Sequence, residues 1–313
     1  MRILVTGGAG FIGSNTVDAL IDADCGEVAV LDNLSSGKRH QVNPRALLYQ
    51  ADLRDAAAVA DAIARERPEV IYHLAAQMDV RRSVADPAFD AQVNLVGFLN
   101  LMEAGRQNGL KRVIFSSTGG AIYGEQEAFP CDEDHPCRPL SPYGIAKLAT
   151  EKYLYFYRQQ YGIDYLVLRY ANIYGPRQDP HGEAGVVAIF CGRMLEGQRC
   201  TIFGDGKQTR DYTYVGDVVR ANLYALTSKA SAIALNIGTG AETSVNALYS
   251  ALAEVAGEAR PPEYAPARPG EQLRSVISPA RAGQYLNWKP EVSLAEGLER
   301  TFMHFRNERG RAR

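Results

Sequence analysis

The stretch that most limits what this chain can fold into is T-G-G-A-G-F-I-G, residues 6–13. It follows an apolar run, R-I-L-V-T at 2–6, and opens onto a helical pattern. Its glycines satisfy G-x-G-x-x-G through Gly8, Gly10 and Gly13, and equally G-x-x-G-x-x-G through Gly7, Gly10 and Gly13. Glycines in such a turn let the chain reverse tightly, let backbone amides approach a pyrophosphate, and let the helix pack close to the strand. The next strand-like run, E-V-A-V-L-D at 27–32, ends in Asp32, which lies 32 − 13 = 19 residues past the last glycine. A carboxylate there accepts hydrogen bonds from a ribose diol and repels a 2′-phosphate. The pattern therefore predicts a dinucleotide fold that takes NAD in preference to NADP.

Four more apolar runs read as buried strands: A-L-L-Y-Q-A-D (46–52), V-I-Y-H-L-A-A (70–76), R-V-I-F-S-S-T (112–118) and Y-L-V-L-R-Y (165–170). Helical stretches such as Asp55 to Arg65 and Ala88 to Gln107 lie between them. Strands alternating with helices predict an α/β fold, a doubly wound parallel Rossmann sheet covered on both faces. In such sheets ligands bind beyond the carboxyl ends of the strands. After Gly175 the alternation breaks at Pro176, Pro180 and several glycines, and Arg260 to Gly270 reads as a Pro-rich connector. The expected division is an NAD-binding domain over 1–175 and a smaller C-terminal α/β substrate lobe over 176–313, with part of about 208–240 returning to the first domain.

Composition narrows the function classes. The 313 residues are 46% hydrophobic and 22% charged, with a formal net charge of −2. That balance gives no electrostatic footprint for nucleic acid or a membrane surface. No apolar run is long enough to span a bilayer, and M-R-I-L-V-T-G-G-A-G lacks the features of a signal peptide, so a cytoplasmic location is expected. The five cysteines are scattered without a C-x-x-C, and C-D-E-D-H-P-C at 131–137 matches no usual zinc spacing, so no metal is expected.

S-P-Y-G-I-A-K, residues 141–147, starts a helix on Ser-Pro and sets Tyr143 and Lys147 four residues apart. An (i, i+4) pair shares a helix face. A lysine beside a tyrosine favours the phenolate and would make a base of a group that ordinarily titrates near ~10. Taken alone, the spacing is one that any amphipathic helix offers.

Taken with the glycine turn and with F-S-S-T at 115–118, it resembles the extended short-chain dehydrogenase/reductase family. Within that family, L-R-Y-A-N-I-Y-G-P-R-Q (168–178), I-F-G-D-G-K-Q-T-R-D-Y-T-Y-V-G-D-V (202–218) and N-I-G-T-G (236–240) look like segments of the UDP-glucose (UDP-galactose) 4-epimerases. The resemblance implies that Tyr143 is the acid/base, and that Lys147 lowers its pKa and holds the nicotinamide ribose. Thr118 would share the proton of the sugar's 4-hydroxyl, with Ser117 as the alternative, and Ser116 would line the nicotinamide pocket. Hydride would pass from C4 of the sugar to NAD and return to the other face of a 4-keto sugar, inverting C4 with no net redox change.

Further contacts are implied in the same way. Gly7, Gly10, Phe11, Ile12 and Gly13 would face the pyrophosphate, and Asn33 and Ser36 would follow Asp32 around the ribose. Asp52 and Leu53 would flank the adenine, with Leu74, Ala75 and Ala76 near the ribose and Asn94 and Tyr170 further along the cofactor. For a UDP-sugar, Asn172 would bind a phosphate oxygen, while Val187, Ile202 and Phe203 would frame the uracil. Arg210 and Arg268 would neutralise the diphosphate, Glu271 would meet the uridine ribose, and Ser275 would lie beside C2 of the sugar.

Sister enzymes with the same pair dehydrate or decarboxylate their sugars, using a carboxylate after the catalytic strand. Here that loop reads T-G-G-A-I-Y-G, 118–124, and has none, which disfavours both reactions. A small residue such as Ser275 implies room for UDP-GlcNAc and UDP-GalNAc beside UDP-glucose and UDP-galactose. A UDP-glucuronate 4-epimerase is the alternative, with Arg177, Gln178 and Arg193 as candidate partners for its carboxylate. A non-catalytic NAD-binding sensor is disfavoured by the presence of Thr118, Tyr143 and Lys147 together. Helices at about 86–108 and 143–161 resemble the pair that joins subunits in this family, and a homodimer is expected.

Overall fold

Residues 1–180, 185–267 and 272–311 are described by the structure, a computed structural model. The first half runs β1 (Arg2–Thr6), α1 (Phe11–Asp22), β2 (Glu27–Asp32), β3 (Leu47–Gln50), α2 (Ala56–Glu66), β4 (Val70–His73), α3 (Val80–Ala85) and α4 (Pro87–Ala91). A π-helical turn (Gln92–Val96) leads to α5 (Gly97–Gln107), β5 (Arg112–Thr118), α6 (Pro142–Tyr161) and β6 (Asp164–Tyr170). Then come β7 (Asn172–Tyr174), α7 (Val186–Leu195), β8 (Thr201–Phe203), β9 (Thr209–Arg210), β10 (Tyr212–Tyr214), α8 (Val215–Thr227) and β11 (Ile233–Ile237). The chain ends with β12 (Thr243–Ser244), α9 (Val245–Ala256), β13 (Glu263–Ala265), β14 (Arg274–Ser275), α10 (Ala280–Leu286) and α11 (Leu294–Arg311).

Seven strands form one sheet in the order β3-β2-β1-β4-β5-β6-β11, and every pairing in it is parallel. The order reverses at β1 and β4, the switch point where open α/β sheets bind their ligands. Neighbouring residues along a strand bury opposite faces. Val5, Val30, Tyr72 and Leu166 pack in one core, while Leu4, Leu31, Ile71 and Val167 pack in the other. A third core, including Tyr174, Phe190, Tyr249 and Leu298, holds the C-terminal part together. β11 pairs along β6, with Leu235 opposite Leu168.

Some boundaries differ from the sequence reading, each for a local reason. β4 stops at His73, short of 76, because the Ala75 amide leaves the ladder and donates to Thr6 Oγ1 (3.3 Å). β3 covers 47–50 of the expected 46–52, since the Asp55 amide closes a turn onto the Asp52 carbonyl (3.0 Å). The helix expected over 88–107 begins where Asp86 caps the Phe89 amide (3.0 Å) with Pro87 in the first turn, and it is interrupted by the π-helical turn before Gly97. A Cβ on Gly97 would stand 2.8 Å from Leu53 Cβ, so glycine is needed for that close approach. The Pro-rich connector contains a strand, β13, paired with β8. Among the described residues no helix is long and apolar enough to cross a membrane.

Candidate active site

The nucleotide end is built on backbone. Gly7 has φ +72°, and a Cβ there would lie 2.7 Å from the Ala75 amide nitrogen. One on Gly13 would lie 2.0 Å from the Gly7 carbonyl oxygen. Gly8, in contrast, has an ordinary φ and faces the Val30 side chain, so the Gly7, Gly10, Gly13 frame is the one that shapes the turn. Above Gly10 the space is open apart from the Gly7 carbonyl. No side chain caps α1, so its first amides, at Phe11, Ile12 and Gly13, are left for an anion at the positive end of the helix. Asp32 accepts from the Ala9 amide (3.0 Å) and the Leu34 amide (2.8 Å), bracing this loop to the one that follows β2. An uncapped helix start with a buried acid beside it fits the pyrophosphate and ribose of NAD.

The other cofactor candidates divide by environment. Asn33 and Ser36 are exposed, and Asn33 donates to Asp52 (2.9 Å). The Arg54 guanidinium beside Asp52 holds that carboxyl well below the usual carboxylate range. Leu53 is buried in the core between α2 and α5. Leu74, Ala75 and Ala76 follow β4 and are partly buried. Asn94 is turned inward by the π-helical turn and clasps Gln77, accepting from its amide nitrogen (2.9 Å) and donating to its carbonyl (2.8 Å). Tyr170 donates its hydroxyl to Asn222 (2.8 Å) and is fully enclosed by α8 and the sheet.

The reactive end lies where β5 meets α6. Ser141 caps the helix, accepting from the Gly144 amide (3.2 Å), and Pro142 fits the first position, where no amide donor is needed. Lys147 is 3% exposed and donates to the Ser116 carbonyl (2.7 Å), with its Nζ 5.8 Å from the centre of the Tyr143 ring. Thr118 accepts from the Ala121 amide (3.1 Å). A Cβ on Gly120 would sit 3.4 Å from Asn172 Oδ1 and 3.9 Å from Thr118 Oγ1, so all three border one small space. Ser117, the alternative to Thr118, points to the other face of the sheet and donates to Glu151 (2.6 Å), because alternate residues of a strand face opposite ways.

The electrostatics correct one expectation. Burial, and then the Asp90 charge, raise the Tyr143 pKa above its ordinary value, against the expected lowering by Lys147. Burial lowers Lys147 to about 8, opposed by Asp90 and Glu151. Desolvation thus outweighs the lysine–tyrosine pairing in the protein alone. Asp90 and Glu151 were missed in the sequence, although each stands four residues from a candidate, Asn94 and Lys147 respectively.

The substrate candidates fare unevenly. Val187 and Ile202 are each 1% exposed and belong to the core of the C-terminal part, so of the three expected to frame a uracil only Phe203 offers a side chain to the adjoining cavity of about 430 Å³. That cavity is lined further by Lys207, Gln208, Leu273 and Arg274. Arg210 donates to the Thr209 carbonyl (2.8 Å), and Ser275, buried on β14, is its register partner. Arg268 and Glu271 lie outside the described residues. Arg177, Gln178 and Arg193 are engaged elsewhere: Arg177 pairs with Asp18 (2.6 Å), Gln178 donates to the Ile173 carbonyl (3.2 Å), and Arg193 donates to Thr201 (2.9 Å).

Residues 3–238 match the family described as the NAD dependent epimerase/dehydratase family. The UDP-glucose 4-epimerase of Mycolicibacterium smegmatis is 47% identical over 313 residues, covering 98% of this chain and 99% of that protein. The crystal structure of UDP-glucose 4-epimerase from Thermotoga maritima, with UDP-glucose, superposes with a TM-score of 0.96 at 51% identity, covering 98% of this chain and 99% of that one. The UDP-glucose 4-epimerase of Thermus thermophilus, in complex with NAD, gives 0.92 at 49% identity over the same shares. An uncapped glycine turn, an acid at the end of β2 and a Tyr-Lys pair against β5, in a chain alike over its whole length to these proteins, make it a member of the NAD-dependent epimerase/dehydratase family.

Proposed function

We propose that this protein is an NAD-dependent UDP-hexose 4-epimerase, an isomerase that interconverts UDP-glucose and UDP-galactose through a 4-keto intermediate. The observation that carries the reading is the space bordered by Thr118 and Asn172 at the end of β5, the strand whose Ser116 carbonyl holds Lys147 beside Tyr143, with no carboxylate in the 118–124 loop. The relatives named above, which act on UDP-glucose or were crystallised with it or with NAD, support it over nearly the full chain.

Tyr143 takes the proton of the sugar's 4-hydroxyl and later returns one, while Thr118 Oγ1 shares it. Lys147 holds the ribose edge and keeps a positive charge under the phenol. When bound, NAD supplies a reversible hydride acceptor for C4 and a second positive charge beside the phenol. Asn172 and Arg210 hold the diphosphate while the ketosugar turns over, so both faces of C4 reach the same groups. Without an acid/base group in the 118–124 loop, C5 and C6 keep their protons and epimerisation is the outcome.

Ser275 leaves room at C2, so UDP-N-acetylglucosamine is accepted as well. The glucuronate reading loses support, because Arg177 is held by Asp18 and Arg193 is turned to the Arg199 carbonyl and Thr201. The protein works as a cytoplasmic homodimer. Ile145, Tyr153 and Phe156 stand exposed on one side of α6, a stripe that a second copy would cover.

Proton NMR of purified protein with UDP-glucose, UDP-N-acetylglucosamine or UDP-glucuronate, each without added NAD, tests the reading. Inversion at C4 of the first two is expected. Inversion of glucuronate alone would overturn the substrate assignment, and a monomeric mass by light scattering would overturn the dimer.

A further inference from the structure

One charged group close to the Tyr143–Lys147 pair has no part in that mechanism. Asp90, on α4, is 1% exposed. Its Oδ1 accepts from Gln77 Nε2 (3.0 Å) and from Asn94 Nδ2 (2.9 Å), while its Oδ2 is buried with no hydrogen-bond partner. A buried carboxylate with an unmatched oxygen is costly unless positive charge stands close to it. α4 packs directly on α6, and the buried cation of α6 is Lys147. The Asp90 charge reaches both members of the pair. It is the leading influence opposing the burial that lowers Lys147, and it adds to the burial that raises Tyr143.

We propose that Asp90 is a positioning residue for the catalytic pair: a buried counter-charge, fixed by the amide clamp of Gln77 and Asn94, that keeps Lys147 an ammonium while Tyr143 cycles between phenol and phenolate. The proposal rests on the epimerase reading for its catalytic meaning, though not for its electrostatics. The other groups around the pair do not replace Asp90. Glu151, one turn beyond Lys147 on α6, is already paired with the buried Arg169 of β6 (2.7 Å). His73 of β4 is neutral at working pH, because burial lowers it to about 3. Arg81 and Arg82 of α3 lie toward solvent. Removing the Asp90 charge therefore makes both Lys147 and Tyr143 more acidic and moves the window in which one is protonated while the other exchanges its proton.

The test uses the NAD-loaded enzyme and Asp90→Asn, which keeps the Oδ1 acceptor and hence the clamp. Its rate-against-pH profile is expected to shift acidward as a whole by at least about one unit. Asp90→Glu, which keeps the charge, should leave the profile where it is even where the rate falls. Asp90→Ser, lacking charge and amide alike, should show the same displacement as Asp90→Asn. A second readout needs no activity: NMR of protein labelled at lysine Cε, with Lys147 assigned from Lys147→Met, should show Lys147 titrating lower in Asp90→Asn than in wild type. An unmoved Lys147 titration, or a uniform rate loss with an unmoved profile, overturns the proposal. A moved titration in a wild-type protein that epimerises nothing would instead retire the epimerase reading and leave the counter-charge standing.

Discussion

Two successive turns of α6 against β5 treat charge in opposite ways, one facing a closed network and the other an open pocket. On one face, Ser117, Glu151, Arg169, Tyr123 and Asn236 form a closed chain of hydrogen bonds, each between 2.6 and 3.1 Å. On the other, Thr118, Tyr143, Lys147 and Asp90 are held in place, yet Asp90 keeps an oxygen with no partner. One helix serves both, since Lys147 and Glu151 are successive (i, i+4) positions of α6. A satisfied buried network gives a rigid wall, and a half-satisfied one keeps charges ready for something that is not protein. The closed face positions the open one.

Substitutions on the two faces should separate activity from stability. The largest effect belongs to the open face: Tyr143→Phe removes the proposed acid/base and should cut turnover by about 10²–10⁴-fold with little change in melting temperature. Turnover within a few-fold of wild type would erase the contrast. On the closed face, Arg169→Met strands the buried Glu151 carboxylate and should cost about 3–5 kcal/mol in urea denaturation. Replacing Glu151 by Met as well should recover much of that loss, because the pair's desolvation cost disappears with it.

Between these stands His73, bonded to Thr6 (2.8 Å) and stacked on Phe115. Burial lowers its pKa from 6.5 to about 3, so between those values the unfolded chain binds a proton that the folded one refuses. Stability therefore rises with pH through that window and is lost as pH falls, by roughly 5 kcal/mol across the whole of it. His73→Gln should flatten that slope in urea midpoints measured between pH 7 and 4.5; an unchanged slope would assign acid sensitivity to other groups. The smallest effects sharpen the comparison most. Ser117→Ala should cost about 1 kcal/mol of stability with the rate kept, while Thr118→Ala should keep stability and slow turnover roughly tenfold. The reverse result would exchange the roles of the faces.

Much of this was legible from local pattern. A run such as R-I-L-V-T ahead of a glycine turn signals strand, turn and helix, because side-chain period and backbone freedom are properties of short segments. Ser141-Pro142 announces the start of α6 for the same kind of reason. Motifs further along were legible as a likeness but not as roles. Asp211, in T-R-D-Y, accepts from the Thr239 and Gly240 amides of N-I-G-T-G (2.9 and 3.1 Å), and Asp217 accepts from the Glu291 and Val292 amides (3.1 and 3.2 Å). Both acids bind distant backbone, and no spacing in the chain could announce that.

The sequence by itself determined the order of strands and helices, the turn that leaves amides free at α1, and the helix face shared by Tyr143 and Lys147, since each depends on residues within a few positions of one another. Tertiary structure alone decided that the Ser117 hydroxyl of F-S-S-T turns to Glu151, that the segment returning to the sheet is residues 233–237 beside β6, and that a carboxylate from α4 stands against α6. Those outcomes follow from pleat, register and packing between segments far apart in the chain, where one residue of slip would have turned every side chain to the opposite face.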